Sequence, residues 1–233
     1  MPERILIIES AAFACFVLCW MGYARFAKWR SATEVCLASV MHMYRVQWAR
    51  ALLSRGNRMA DMSIIATFER NMAFFGSSSL VIVAGLLTLL GNLEEAIALF
   101  GTLPFSTQQT LLQWEIKLAL LLVLFVYAFF KFSWAMRQIG FAAILIGAAP
   151  DAREEALSEQ AQKDTAERIA RVVSMAGHHF NFGIRTYYFA LAVLAWFLNT
   201  GLFIVATLLV VYVLFRREFR SSVLKTLMAN NPN

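Results

Sequence analysis

Apolar residues gather in long blocks along this chain, separated by short polar or basic stretches. A helix needs about 20 mainly apolar residues to cross the hydrocarbon core of a bilayer. Three blocks reach that length outright. The first covers 5–23, ends in Trp20 and Tyr23, and is followed by Arg25, Lys28 and Arg30. The second covers 71–90 and stops at Gly91-Asn92. The third covers 114–134 with a Trp at each end. Twenty helical steps make about 30 Å, so Trp114 and Trp134 fall at the two interfaces where indole rings collect. The last apolar region, Tyr187 to Phe215, contains the turn-forming triplet Asn199-Thr200-Gly201. It reads either as one long tilted helix or as a hairpin.

Charge separates the two readings. With five spans, an outside N-terminus and an inside C-terminus, 19 of the 21 Lys and Arg residues lie inside, leaving Arg4 and Lys117 outside. A single final helix would carry Arg216, Arg217, Arg220 and Lys225 to the outside. The positive-inside rule therefore selects the hairpin, with spans at 5–23, 71–90, 114–134, 180–198 and 202–217. The expected fold is an all-α helical membrane bundle, one membrane domain over 1–233 with cytoplasmic helical segments at 31–70 and 135–179.

Within 31–70, Leu37, Met41, Tyr44, Trp48 and Ala51 recur at helical spacing and predict an apolar face, with Arg45 and Arg50 off it. Such a helix lies on the inner leaflet or packs on another cytoplasmic helix, and the pattern does not choose. Gly56 is the expected C-cap. From Met59 the pattern runs unbroken to Phe75, which gives the second span a cytoplasmic stem. The third continues past Trp134 towards Gly147. Residues 150–165 read as a solvated stretch, and 166–175 as helical again. The outer segment 91–109, with "TLPF", is too short for a domain. No internal repeat is evident, which weakens an inverted-repeat transporter reading.

Composition agrees with lipid as the solvent. The chain is 60% hydrophobic and 15% charged, where a soluble domain carries about 25%. The net charge of +6 falls on the inner segments, where it meets anionic headgroups. No groove-reading or base-stacking motif accompanies it, so nucleic acid is set aside as a partner. Three cysteines, Cys15, Cys19 and Cys36, lack a disulfide framework and read as buried thiols. "AFAC" (12–15) has only the outline of a lipoprotein cleavage box, and Glu3 and Glu9 deny it a basic leader. The segment reads as a retained anchor.

The three histidines, His42, His178 and His179, all fall on the inner side, with Arg45, Asn181 and Arg185 near them in sequence. Three imidazoles can hold a metal ion and a pair can ligate haem iron. Adjacent residues on a helix point about 100° apart, so His178 and His179 do not readily share one ion. Interfacial histidines bonded to backbone, headgroups or Asn181 are the favoured reading. No cofactor is therefore assigned, and haem or a metal stays as the alternative. Glu9, Glu115 and Lys117 are the polar residues at the outer ends, and Glu9 is expected to pair with Lys117 across helices. A proton or cation path is the alternative and lacks a midplane carboxylate. Ser77, Ser78 and Ser79 mark close helix packing or the lining of a pore. No phosphate loop, nucleophile elbow or zinc-protease helix is present, and no enzymatic activity is expected.

Five stretches carry a resemblance: "MHMYR" (41–45), "VYAFFKFSWAMRQ" (126–138), "ILIGAAP" (144–150), "HHFNFGIRTYYFALA" (178–192) and "RREFRS" (216–221). Together they resemble the domain-of-unknown-function 599 family of bacterial multi-pass membrane proteins. The resemblance implies a multi-pass protein of the bacterial cytoplasmic (inner) membrane and hands over no reaction and no site residue. The expected role is a non-enzymatic interaction or scaffold protein, using cytoplasmic helices led by "MHMYRVQWAR" towards a protein partner or a second copy. A homo-oligomeric channel or transporter is the alternative, with a haem- or metal-binding accessory protein below it.

Overall fold

The computed structural model describes residues 2–30, 34–101, 110–150 and 158–229. The expected segment "TLPF" and residues 151–157 of the solvated stretch lie outside the described residues, and the rest of that stretch from Glu159 is the start of a helix. All regular structure among the described residues is α-helical: α1 (Pro2–Arg30), α2 (Leu37–Leu53), α3 (Met59–Gly91), α4 (Leu93–Gly101), α5 (Leu111–Gly147), α6 (Glu159–Trp196), α7 (Thr200–Phe219) and α8 (Ser222–Ala229). The all-α bundle expected from the pattern is the one that forms. Three segments are long and apolar enough to cross a membrane, Ile7–Ala27, Met59–Gly91 and Leu111–Gly147.

Side-chain caps start the long helices. Thr110 opens α5 with a capping box: its hydroxyl accepts from the Gln113 N–H, and the Gln113 side chain accepts from the Thr110 N–H at 2.9 Å. Ser158 opens α6 by accepting from the Ala161 N–H at 3.2 Å. Asn199 opens α7, its side chain accepting from the Gly201 N–H at 2.7 Å. Helix α6 ends at Trp196, so the chain breaks at the triplet seen in the sequence. It then reverses: Trp196 stacks on Phe203 at 4.5 Å, and Arg185 meets Glu218 at 2.9 Å. Pairs that close towards the break and open away from it define an antiparallel hairpin.

Helices α3, α5 and α6 contain 33, 37 and 38 residues, lengths of about 50 to 57 Å. That exceeds a hydrocarbon core of about 30 Å, so each carries a stem beyond one apolar slab. The core divides accordingly. One cluster joins α1, the start of α5, the end of α6 and α7 through Phe16, Trp114, Leu121, Phe189 and Phe203. The other joins α2 to the stems of α3, α5 and α6 through Leu52, Ile65, Ile139, Ile146 and Ile169. Between them Phe75, Phe132, Phe180 and Tyr187 pack ring against ring, with centroids 5.5 to 5.8 Å apart.

Helix α2 packs on α6. Its buried line is Val40, Ala49, Leu52 and Leu53, not the expected stripe, whose five members are only half-buried. The stripe faces several surroundings at once. Leu37 and Met41 line a cavity. The Tyr44 hydroxyl donates to the Leu227 carbonyl of α8 at 3.1 Å, and the Trp48 indole donates to Asp61 at 2.8 Å. The C-cap is Ser54 rather than Gly56. Its hydroxyl donates to the Ala51 carbonyl at 2.8 Å, which ends the helix before a glycine is needed. Just beyond, Arg58 donates to the carbonyls of Ile146, Ala149 and Pro150. Those carbonyls lie at and just beyond the C-terminal end of α5, where backbone acceptors are no longer taken up by a continuing helix, so the α2–α3 turn is bolted to α5.

Candidate functional site

Helix α6 carries a polar stripe through a helix that is apolar at its far end. Glu167, Arg171, Ser174, His178, Asn181, Arg185 and Tyr188 follow one another at alternating steps of four and three. That spacing keeps them on one face, over about 31 Å of helix. Helices α2 and α7 stand on either side of this face, and the three enclose a cavity of about 710 Å³. Small-molecule sites commonly fall within about 300 to 1,000 Å³.

The cavity gathers all six residues of the inner cluster seen in the sequence. His42 and Arg45 reach it from α2, and His178, His179, Asn181 and Arg185 from α6. Sequence reasoning missed Glu167, Arg171, Ser174 and Tyr188, although the four-and-three spacing was there to be read. It also missed Arg217 and Glu218, whose arrival depends on the register of the α6–α7 hairpin and left no local signal.

Four guanidiniums, of Arg45, Arg171, Arg185 and Arg217, face two carboxylates, which leaves a charge of +2 with the histidines neutral. Both carboxylates are engaged. Glu218 pairs with Arg185 at 2.9 Å, and Glu167 lies 3.3 Å from Arg171 and 3.6 Å from His42 Nε2. Arg45 and Arg217 meet no carboxylate among the described residues. Arg217 donates to the Tyr188 hydroxyl at 2.5 Å. Arg45 donates to the Ser174 hydroxyl at 3.3 Å, and His42 Nδ1 lies 2.9 Å from the same oxygen. Burial pushes the Arg45 guanidinium below its ordinary pKa. It is seated against Gly177, where a side chain would begin 3.2 Å from Nη2.

The histidines share the cavity wall without forming a ligand set. The His178 ring meets Phe182 edge-on at 4.6 Å and lies 6.2 Å from the His179 ring, at 74° to it. His179 Nδ1 is buried with no hydrogen-bond partner. Burial first, and the Lys131 ammonium second, hold the His179 pKa below its usual value. Among the described residues no three His, Cys, Asp or Glu side chains converge to hold a metal ion.

The other candidates stand elsewhere. Lys117, 1% exposed, donates to the Trp196 carbonyl at 3.0 Å and lies 4.9 Å from the centre of the indole. Glu9 accepts from the Trp196 indole N–H and the Thr200 hydroxyl, each at 2.5 Å. Trp196 thus joins the two residues expected to pair. Glu115 is exposed on α5. The three serines part company. Ser79 is buried, donates to the Phe75 carbonyl at 2.8 Å and lies 2.9 Å from the Tyr187 hydroxyl. Ser78 donates to the Phe74 carbonyl in its own helix. Ser77 and Ser78 both line a shallow outer groove with Arg70 and Phe74, away from Ser79.

A family model described as "Protein of unknown function, DUF599" matches residues 11–223. No curated protein and no solved structure matches the chain.

Proposed function

The chain belongs to this family of unknown function, and from its geometry we propose that it is a non-enzymatic recognition protein of the bacterial inner membrane. It crosses the membrane five times, N-terminus out and C-terminus in, and uses the basic cavity to hold an anionic partner. The observation that carries the reading is the cavity itself, where Arg45 and Arg217 are left over once both carboxylates are paired. Guanidiniums in a half-enclosed site favour planar or tetrahedral oxyanions, which they bind through paired N–H donors. The topology rests on three long apolar helices, the reversal at Asn199 and the bias of basic residues to one side.

Two measurements test it. With Cys15, Cys19 and Cys36 replaced by Ala, a cysteine at Glu94 should react with a membrane-impermeant maleimide in intact cells. One at Lys225 should react only after permeabilisation. The reverse pattern, or equal reactivity, discards the five-span orientation. A photo-crosslinking residue at Met41 or Met175, both on the cavity wall, should capture a discrete adduct in native membranes. An empty cavity, with no adduct from either position, discards the recognition role.

A further inference from the structure

The cavity is not uniform along its length. At the α7 end Ile184, Leu214 and Tyr188 form its wall, and Arg217 stands beside Tyr188. At the α2 end Arg45, Ser174, His178 and Asn181 supply the polar groups, beside Leu37 and Met41. From Gly177, which seats Arg45, to Tyr188, which meets Arg217, is eleven residues, about 16 Å along the helix. The end at Ile184 and Leu214 is thus a mouth with apolar walls beside the Arg185–Glu218 pair, and the end at Arg45 is a chamber of mixed lining. In the five-span topology the mouth opens at the inner leaflet and the chamber lies on the cytoplasmic side of it.

We infer that this cavity binds a phosphate-bearing ligand through the Arg45 guanidinium, with the anionic headgroup of an inner-leaflet phospholipid as its chief source. This rests on the reading of the cavity as the recognition site. Three features carry it. Arg45 is half-buried and its only hydrogen bond among the described residues is the long one to a serine hydroxyl. The rest of its donor fork is unspent on protein acceptors. Ser174, His178 and Asn181 add polar groups from α6, opposite Arg45 on α2. Donors arriving from two helices suit a tetrahedral oxyanion better than a planar carboxylate. Finally, the apolar walls at Ile184 and Leu214 give a glycerol backbone and the first methylenes of an acyl chain a place to lie, where a free anion would find none. Basic pockets between helices at the cytoplasmic side are a known physical solution for headgroup capture.

The test uses the full-length protein. It is exchanged into detergent and titrated with phosphatidylglycerol or with phosphatidylcholine, and adducts are counted by native mass spectrometry. In parallel, sn-glycerol 3-phosphate and inorganic phosphate are titrated without lipid and read by thermal shift. A discrete phosphatidylglycerol adduct should form and weaken about tenfold in Arg45→Gln, the size expected for losing one charge-assisted contact. Arg168→Gln is the control. Arg168 is exposed on α6 and lies off the cavity stripe, so its removal should leave the adduct unchanged. Arg45→Lys keeps the charge and loses the fork, and should fall between wild type and Gln; it serves if the Gln variant fails to fold. Saturable binding of glycerol phosphate as tight as the lipid's, and sensitive to Arg45→Gln, keeps the phosphate chemistry and transfers the source to a soluble ester. Equal weakening in both Gln variants reduces binding to bulk charge and overturns the inference. So does binding of none of these probes. If the crosslinker at Met175 still captures an adduct in that case, the cavity remains a recognition site and only the ligand class falls.

Discussion

Phe132 of α5 occupies the space that a side chain on Gly183 of α6 would need. The Phe132 ring is fully buried, and a Cβ built on Gly183 would overlap three of its carbons. The ring also packs against Phe75, Phe180 and Tyr187, so it has nowhere to retreat. This is the level at which the two halves of the core meet. Gly183→Ala should therefore destabilise by about 1–3 kcal/mol, the usual range for overpacking a core. Thermal unfolding in detergent measures it. Adding Phe132→Leu should absorb part of the cost, because the smaller side chain vacates the contested space. Simple additivity of the two changes would show that Gly183 is destabilised for another reason.

At the opposite end, Trp196 joins Glu9 and Lys117 without requiring them to touch. Its indole N–H donates to Glu9 and its carbonyl accepts from Lys117. Glu9→Gln should cost about 1–3 kcal/mol, since the buried ammonium loses a nearby negative charge while keeping its place. In a Lys117→Met background the same Glu9→Gln change should cost clearly less. Unfolding midpoints of the two single variants and the double variant complete the cycle. A coupling below about 0.5 kcal/mol would mean that the two charges do not sense each other through Trp196.

How far these features can be read from sequence differs by feature. The helical class, the break at Asn199 and the stems of α3 and α5 follow from runs of apolar residues and a turn triplet, which are local signals. The meeting of His42 and Arg45 with His178 and Arg185 needed only that α2 pack on α6 at one level. The spacing 167, 171, 174, 178, 181, 185, 188 was visible too, yet a polar stripe running into an apolar helix draws less notice than a pair of histidines. What could not be read were contacts fixed by three-dimensional register. Arg217 and Glu218 enter the cavity because α7 runs antiparallel to α6. The apolar face of α2 misled for a related reason. Its half-buried side meets a cavity, a carboxylate and α8, and helical spacing alone cannot tell such a face from a core.

Arg55 and Asp61 should behave asymmetrically. Asp61 is fully buried, and one of its oxygens accepts both from Arg55 at 2.6 Å and from Trp48 at 2.8 Å. Its other oxygen has no hydrogen-bond partner. The Arg55 side chain is 47% exposed. Removing Arg55 leaves an uncompensated buried carboxylate and should cost about 3 kcal/mol. Removing Asp61 leaves an arginine that water can solvate, so Asp61→Ala should cost about half as much. The double variant should match Asp61→Ala alone. Chemical denaturation in detergent decides the order. A larger loss for Asp61→Ala than for Arg55→Ala would refute the account.

His179 gives the protein an acid-sensitive element with a definite sign. Its folded pKa lies below the ordinary 6.5, first because it is buried and second because Lys131 repels its proton. Below about 6.5 the unfolded chain takes up a proton that the folded chain resists. His179 therefore contributes stability that is fully present above that value and is lost as pH falls through the folded pKa. His178 and Arg185 share the cavity wall with it, and Glu167 and Glu218 supply the acids, already paired. The comparison must be made against a variant rather than read from wild type alone, because other groups titrate over the same range. Between about pH 7.5 and about pH 5.5, the wild-type melting temperature should fall more steeply than that of His179→Gln. In Lys131→Gln the fall should be shallower than in wild type, since removing the ammonium raises the His179 pKa and brings the folded and unfolded values together. Parallel curves for wild type and His179→Gln would mean that this imidazole protonates equally in both states, and that its buried Nδ1 is reached by water.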